Sequence, residues 1–241
     1  MNSVSIRWTL AALALGTLPG RAAVVVSWDQ INQAIPDANL SGLADTRTLA
    51  SVSGQITDLN VSLTLAGLPG EPSFNGDLYV TLQHDSGFTV LLNRVGRTET
   101  RGLGYADDGF TVTFDQGAAN DVHTYRIALS GALDTPLAGP LTGVWQPDGR
   151  LAPPDSVLAS SPRSAGLDSF SGLDPNGTWT LFLADLETGG RTQLVRWSLE
   201  LTGVSLVPEP EWTGLGVSAG LLGWWGFRHS RARRKPSPSA P

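Results

Sequence analysis

Apolar and polar residues alternate along several short stretches of the chain, which is the pattern of half-buried β-strands. The clearest stretch is residues 55–65, where Leu59, Val61, Leu63 and Leu65 share one face. The same alternation predicts further strands at residues 24–26, 78–82, 88–93, 110–114 and 122–129. In the last of these, Tyr125, Ile127 and Leu129 would lie on one face. Residues 78–82 and 88–93 flank a short turn and predict a hairpin.

Residues 176–203 predict a second hairpin, which would close a sandwich. Asn176-Gly177 is a turn signal, and the tandem glycines Gly189-Gly190 indicate a tight reversal between two strands. One face of the first strand carries Trp179, Leu181 and Leu183, and one face of the second carries Val195, Trp197, Leu199 and Leu201. Both strands therefore have an apolar face that must be buried.

The stretches between these strands are polar or rich in Gly and Pro. Residues 28–53 look irregular, and residues 66–75, 94–109 and 133–168 are predicted loops, the last a long surface loop that crosses the sandwich. Many short strands joined by long loops, without a clear helical pattern, predict an all-β fold. We expect a jelly-roll β-sandwich of the galactose-binding-like type over residues 23–205.

The N-terminus has the pattern of a secretory signal peptide. Arg7 gives a positive start, residues 8–18 are apolar but too short to span a bilayer, and Gly20 and Ala22 place small residues before a cleavage site. We therefore assign residues 1–22 to a signal helix that is removed on export. A buried N-terminal helix is the alternative interpretation.

The C-terminal segment, residues 206–241, has the pattern of a membrane-sorting signal. Val207, Pro208, Glu209 and Pro210 precede an uncharged apolar run at residues 212–227, which predicts a short transmembrane helix. A basic tail follows at residues 228–235 and includes Arg231, Arg233 and Arg234. Since basic residues stay on the cytoplasmic side, the body would lie outside the inner membrane. A plain tail anchor is the alternative.

This order of Pro-Glu-Pro, apolar helix and Arg cluster resembles the PEP-CTERM sorting signal of Gram-negative, exopolysaccharide-producing bacteria. The resemblance implies recognition by an exosortase and cleavage near Pro208-Glu209-Pro210, followed by release or transfer to the cell surface. The chain would be anchored in the inner membrane before that step.

Composition narrows the classes of partner and chemistry. Only 16% of the 241 residues are charged, below the usual value of about 25%, and the net charge is −6. Since most of the Arg cluster lies in the tail, the body is more acidic still, which argues against nucleic acid as a partner. The chain has no cysteine, so disulfides, thiol catalysis and thiolate metal sites are excluded.

Several short motifs fall in the order found in the P domain (P/Homo B domain), the jelly-roll that follows the catalytic domain of subtilisin-like proprotein convertases. They are Ile35-Pro36-Asp37, Gly76-Asp77-Leu78, residues 110–115, Phe170-Ser171-Gly172, residues 176–179, residues 183–185 and Trp197-Ser198-Leu199. The resemblance spans about residues 35–203 and implies a non-catalytic jelly-roll. The convertases carry their catalytic groups in a separate domain.

The histidine content argues against an enzyme. A hydrolytic triad needs a nucleophile, a histidine and an acid in contact, and zinc needs three or four His, Asp or Glu ligands. Only His84 and His123 lie in the body, and His84 is adjacent to Asp85 and Ser86 within one predicted turn. We therefore predict that the chain has no catalytic residues and does not act as an enzyme.

Calcium is the one cofactor that the residues leave open. The candidate ligands lie at strand ends or in loops and are Asp77, Asp107, Asp108, Asp115 and Asp185. Carboxylates and loop carbonyls are the ligands that calcium prefers, but Asp also caps turns by binding its own backbone. Gln116 follows Asp115 where the P domain commonly has a second acid, which weakens the calcium interpretation.

Aromatic and basic residues suggest two further surfaces. A sugar-stacking platform could use Trp145, Trp179 and Trp197, but Trp179 and Trp197 have inward parity and are predicted core residues. Arg94, Arg97 and Arg101 could bind an acidic polysaccharide, or pair locally with Asp107 and Asp108. A locally paired loop is the simpler interpretation.

Taken together, the residues predict an exported, non-catalytic cell-surface or extracellular-matrix protein with a binding or structural sandwich. Its partners would be an exosortase, the inner membrane before processing, and either exopolysaccharide or a secreted protease. The alternative function is an accessory or regulatory P domain that assists a subtilisin-like serine protease.

Overall fold

Ten β-strands form two sheets in the part of the chain that the computed structural model describes, residues 23–207. The strands are β1 (Ala23–Trp28), β2 (Gln33–Ala34), β3 (Leu43–Leu49), β4 (Val52–Gly67), β5 (Leu78–His84), β6 (Gly87–Asn93), β7 (Phe110–Phe114), β8 (Leu141–Trp145), β9 (Gly177–Asp185) and β10 (Thr192–Leu206). One short helix, α1 (Tyr125–Ser130), lies between β7 and β8, and 3₁₀ turns occur at Asn75–Asp77, Val122–Thr124 and Leu167–Phe170.

The first sheet has the strand order β1-β10-β4-β7-β8, with β2 also paired to β10, and the second has the order β3-β9-β5-β6. Neighbouring strands are antiparallel except β7 and β8, which are parallel. The predicted edge strand is β1, and the predicted first hairpin is β5 and β6.

The inward side chains of both sheets form one hydrophobic cluster, which confirms the predicted all-β sandwich. The predicted rows on β4, β5 and β9 are all buried: Leu59, Val61, Leu63 and Leu65; Leu78, Val80 and Leu82; Trp179, Leu181 and Leu183. Each such side chain contributes about 1.5–3 kcal/mol on burial. The alternation of apolar and polar residues thus predicted the core-facing positions of these strands correctly.

The predicted hairpin at residues 176–203 is wrong, because its two strands lie in different sheets. Strand β9 pairs with β3 and β5, whereas β10 pairs with β1 and β4. The connection between them therefore crosses from one sheet to the other. An apolar face on each strand is buried against another layer, whether the two strands lie side by side in one sheet or in two sheets that face each other. The pattern therefore did not distinguish the two arrangements.

At the start of strand β10, the side chain that faces the core is also not the one that was predicted. The pairing with β4 shifts register between Leu194 and Arg196, which is a β-bulge. Leu194 is therefore buried in place of the predicted Val195, while Trp197, Leu199 and Leu201 are buried as predicted.

Residues 28–53 are not irregular, since they contain β2, β3 and the start of β4. The alternation of β3 was hidden because Asp45 occupies one of its buried positions. The Asp45 carboxylate accepts hydrogen bonds from Arg47 and from the Trp197 indole N–H, the latter at 3.3 Å. A charged residue thus fills a position where the pattern required an apolar one.

The predicted strand at residues 122–129 is instead a 3₁₀ turn followed by helix α1. The Asp121 side chain accepts from the His123 N–H at 2.9 Å and so caps the turn. Gly131, at φ +74°, ends the helix in the left-handed conformation. Ile127 and Leu129 are 45% and 56% exposed, so the expected apolar face does not exist.

Residues 133–168, predicted as a surface loop, contain β8 and cover the free edge of β6. The N–H groups of Asp148 and Gly149 donate to Leu91 and Val90 carbonyls at 3.0 and 2.9 Å, and the Val90 N–H donates to Ala165 O at 3.1 Å. Covering an edge in this way removes a site for unwanted strand pairing.

Within residues 23–207 no helix is both long and apolar enough to cross a bilayer. The predicted signal helix, the apolar helix at residues 212–227 and the sorting residues from Pro208 onward lie outside the described residues.

Candidate functional site

Four of the five predicted calcium ligands lie at one end of the sandwich. Strand β9 ends opposite the start of β5, with Leu78 paired to Asp185, and the loop before β7 packs on the turn before β5. This end, which we call the acidic end, contains Asp77, Asp107, Asp108 and Asp185. Asp115 follows β7 near its other end, away from them.

Asp77 and Asp185 are both buried acids at this end, and the charge of Asp77 acts on Asp185. Asp185 continues the inward row of Trp179, Leu181 and Leu183, so its carboxylate faces the interior and is 2% exposed. Asp77 is 5% exposed, and its carbonyl accepts the Leu186 N–H at 2.9 Å. The Oδ1 atom of Asp185 has no hydrogen-bond partner, which is costly for a buried carboxylate oxygen.

Burial, which disfavours the charged form, raises the pKa of Asp185 to about 7, and the negative charges of Asp77 and Asp37 add to the effect. Burial likewise raises the pKa of Asp77 to about 6. The Arg94 guanidinium opposes that rise, whereas Glu187 and Asp37 add to it. Around Asp185, the Arg94 guanidinium opposes the rise in pKa but does not offset burial and the charges of Asp77 and Asp37.

Arg94 is buried at 4% exposure and belongs to this group rather than to a solvated loop. Its Nη1 contacts Glu187 Oε1 at 2.8 Å and its Nε donates to Gly76 O at 3.3 Å. Its Nη2 is 4.0 Å from Asp77 Oδ1 and has no hydrogen-bond partner. The guanidinium is thus engaged mainly by Glu187, and only weakly by Asp77.

The other three predicted ligands have structural partners of their own. Asp107 accepts from Arg126 at 2.7 and 2.8 Å, from the Tyr125 hydroxyl at 2.6 Å and from the Leu137 N–H at 2.8 Å. Burial alone would raise the pKa of Asp107, but these hydrogen bonds lower it below its usual value. Asp107 is therefore an ionised anchor that fixes α1 to the sandwich.

Asp108 and Asp115 are backbone caps. Asp108 Oδ1 accepts from the Ser73 N–H at 3.1 Å, and Asp115 Oδ1 accepts from the Gly117 N–H at 2.7 Å. The five predicted ligands therefore do not converge. Among residues 23–207 there is no group of three or more His, Asp or Glu side chains arranged to hold a metal ion.

Both body histidines have structural contacts on both ring nitrogens. The His84 ring stacks on Trp179 with centroids 4.1 Å apart, and its Nδ1 and Nε2 lie 3.0 and 2.7 Å from the carbonyl oxygens of Thr178 and Asp174. His123 is fully buried, with Nδ1 at 2.7 Å from Asp148 Oδ2 and Nε2 at 3.4 Å from Arg97 O. Neither ring contacts a hydroxyl nucleophile through these atoms.

A buried ionic network extends from His123 and was not predicted. Asp148, also fully buried, accepts from Arg150 Nη1 at 3.2 Å, and Arg150 Nη2 donates to Asp121 Oδ2 at 2.6 Å. Asp148 and Arg150 lie in a loop rich in Pro and Gly that has no hydrophobic period, so no sequence signal indicated their burial. The network holds that loop against the 3₁₀ turn Val122–Thr124.

The remaining predicted surfaces are also buried or paired within the fold. Trp145, Trp179 and Trp197 are 4%, 0% and 0% exposed, so they do not form a sugar platform on the surface. Arg97 donates to Val157 O at 3.0 Å and Arg101 pairs with Asp134. The predicted local pairing with Asp107 and Asp108 is therefore wrong: Arg94 pairs with Glu187, Arg97 bonds backbone carbonyls and Arg101 pairs with Asp134, all distant along the chain.

Comparison with known proteins finds no family and only weak similarity to solved structures. No protein-family model matches the chain, and no curated protein matches it. One similar solved structure is the Aeromonas sobria serine protease in complex with its chaperone, at 15% identity and a TM-score of 0.39, covering 80% of this chain and 28% of that one. The A. sobria serine protease alone is similar at 16% identity and a TM-score of 0.37, with 78% and 28% covered. This chain thus spans under a third of those proteins, and likenesses this weak assign no function.

Proposed function

We propose that this chain is an exported, non-catalytic cell-surface or extracellular-matrix protein whose sandwich has a binding or structural role. In this proposal the sandwich is a P-domain-like jelly-roll, and residues 206–241 are a PEP-CTERM signal processed by an exosortase. The proposal combines the pattern of the two terminal segments with the fold of residues 23–207.

The observation that carries the proposal is the pairing of the first and last strands. Ala23 pairs with Thr202 at the start of β1, and β10 ends four residues later at Leu206. The chain therefore enters and leaves the sandwich at the same end, next to the loop that holds Asn176, whose side chain bonds the Val52 backbone at 3.0 and 2.6 Å. The acidic end is the opposite one.

This arrangement suits a domain that is exported by a cleaved leader and then tethered through its C-terminus. The leader before Ala23 and the anchor after Val207 would both connect to this one end of the sandwich. The structural contacts of His84 and His123 support a non-catalytic role.

The test is the fate of the chain in cells with and without the exosortase, read by C-terminal mass and by fractionation. We expect cleavage near Pro208-Glu209-Pro210 in the wild type, and an uncleaved, membrane-bound chain without the exosortase. Replacing those three residues together by Ala should have the same effect as removing the exosortase, whereas the control Pro236→Ala should be processed normally.

The same C-terminal residue in all four samples would refute the sorting proposal. Recovery of one subtilisin-like protease in stoichiometric amount with the tagged chain would instead favour the alternative, an accessory domain for that protease.

A further inference from the structure

The outer face of the second sheet carries aromatic rings and hydroxyl groups but no charged side chain. On β9, Trp179, Leu181 and Leu183 point into the core, so the alternate residues of the strand point outward. The registers of β3, β5 and β6 with their neighbours give the rest of this face. We call it the aromatic face, and its main residues are Thr46, Tyr79, Thr81, Gln83, Thr180 and Phe182.

The outer face of the first sheet has a different character. Asp58, Arg196 and Glu200 point outward there and are exposed. Among the described residues, no outward position of that sheet is aromatic. The charged face is the ordinary solvated surface of a sandwich, so the aromatic face differs from it in both respects.

The aromatic face is recessed, and its rings are held in place. Ala184 and Thr81 point outward but are only 1% and 6% exposed. Tyr79 lies opposite Ala184, and Phe182 lies opposite Thr81. Tyr79 and Phe182 are therefore diagonal neighbours about 7–8 Å apart, and they flank the two small side chains. A Cβ atom on Gly42 would lie 2.8 Å from the Phe182 ring, so the ring packs closely on that glycine.

The loop after β8 bounds the other side of this face. Val90 lies opposite Thr81 and is fully buried, although it does not belong to the cluster between the sheets. Its backbone bonds Gly149 and Ala165 of that loop. The opposite end remains open, because Thr48 and Thr178 are exposed. The face is thus a shallow trough that opens at one end.

We propose that the aromatic face binds a neutral polysaccharide chain. A sugar ring has an apolar face of C–H groups, which packs on an aromatic ring, and a rim of hydroxyls, which hydrogen-bond to polar side chains. Tyr79 and Phe182 provide the rings. Thr46 and Thr180, whose hydroxyl oxygens are 3.3 Å apart, and Gln83 beside them provide donors and acceptors. This inference rests on the proposed binding role and adds a class of ligand to it.

The charge of the face favours this ligand over other polymers and over membranes. An anionic polysaccharide or a lipid headgroup is attracted by Lys and Arg, and neither residue lies on the outward strand positions of this face. A neutral chain needs no such charge.

The composition of the face also argues against a protein partner. The residues that dominate protein interfaces are Trp, Tyr and Arg, whereas Thr is under-represented among them. Here Thr46, Thr48 and Thr178 are exposed around the rings. A partner rich in hydroxyl groups is therefore the better complement.

The experiment is affinity gel electrophoresis of the purified full-length chain in mild detergent. The gels contain hydroxyethyl cellulose, galactomannan or dextran as neutral polymers, or alginate as an anionic one. We expect at least one neutral polymer to retard the chain and alginate to have no effect. Tyr79→Ala and Phe182→Ala should each weaken that binding about tenfold.

Two control variants separate binding from folding. Tyr79→Phe keeps the ring and should retain most of the binding. Val144→Ala removes a side chain that is 55% exposed on the first sheet, and it should bind like the wild type. If the alanine variants of the two rings do not fold, Gln83→Ala replaces them; it lies at an exposed position and should weaken binding severalfold.

Three results would overturn the proposal: no retardation of the wild type by any neutral polymer, equal retardation by alginate, or unchanged binding in folded Tyr79→Ala and Phe182→Ala. Sedimentation that shows a dimer dissociated by Tyr79→Ala would also overturn it, because a second copy would then cover the face. The purified chain needs no exosortase, so a failure here leaves the test of processing unaffected.

Discussion

The buried acid Asp185 allows a sharp prediction of how the stability of the fold depends on pH. The ordinary pKa of an aspartate is 3.8, whereas burial raises the folded-state pKa of Asp77 to about 6 and that of Asp185 to about 7. Between pH 4 and 7 the folded chain therefore binds more protons than the unfolded chain. The stabilisation from these protons is complete below about pH 3.8 and is lost as the pH rises through 6 and 7.

The size of the effect follows from the shifts. One pKa unit corresponds to about 1.4 kcal/mol. Since the unfolded groups are already ionised at pH 5, the change between pH 5 and pH 8 is about 1 kcal/mol for Asp77 and about 3 kcal/mol for Asp185. The repulsion by Asp77 is already contained in the raised pKa of Asp185, so the two changes add to about 4 kcal/mol. That is a large part of the 5–15 kcal/mol by which native proteins are stable.

The assay is urea unfolding at half-unit steps from pH 5 to pH 8. The wild type should lose about 3–4 kcal/mol of unfolding free energy across this range, and Asp185→Asn should lose about 1 kcal/mol or less. The difference between the two chains cancels the contributions of groups common to both. The control Asp58→Asn, at an exposed position of β4, should follow the wild type.

Two results would refute the reasoning. A wild-type stability that rises or stays level from pH 5 to pH 8 would mean that the pair is not a buried, uncompensated one. Parallel profiles for the wild type and Asp185→Asn would mean that the pH dependence comes from other groups.

Two further changes test the rest of the sandwich by urea unfolding. Asp148→Ala removes the acceptor of a buried histidine and arginine and should cost about 3–5 kcal/mol, whereas Asp58→Ala on the surface should change stability by about 0.5 kcal/mol or less; equal costs would show that the ionic network is dispensable. Gly96→Ala adds a Cβ only 2.3 Å from the Tyr105 ring at a φ of +77°, so we expect a cost of about 2–4 kcal/mol. Gly102→Ala has no atom within 4 Å of the new Cβ and should be nearly neutral; if both variants melt alike, the close packing of Tyr105 is wrong.

The sequence determined the fold class and most core positions. The alternation of Leu59 to Leu65 on β4 and of Trp179 to Leu183 on β9 depends only on neighbours in the chain, since successive side chains of a strand point to opposite faces. The same rule places Asp185 inward after Leu183, so the candidate site could have been recognised as a carboxyl in an apolar row. The prediction treated it mainly as a turn cap.

The sequence did not determine which strands pair, nor which polar residues meet. The strands at residues 176–203 have the pattern of a hairpin, but β9 and β10 lie in opposite sheets because each finds its partners among distant segments. Helix α1 was missed because it is short and is held by Asp107, which lies far from it along the chain.

What the sequence alone decided is therefore local. The alternation of apolar and polar residues along each strand, and with it the rows of inward side chains, follows from residues a few positions apart. What only the tertiary structure decided is long-range. It brought Asp77 to Asp185, buried Asp148 beside His123, and placed Ala23 against Thr202. Charges and hydrogen bonds act through space, so their balance at the acidic end exists only once the two sheets have packed.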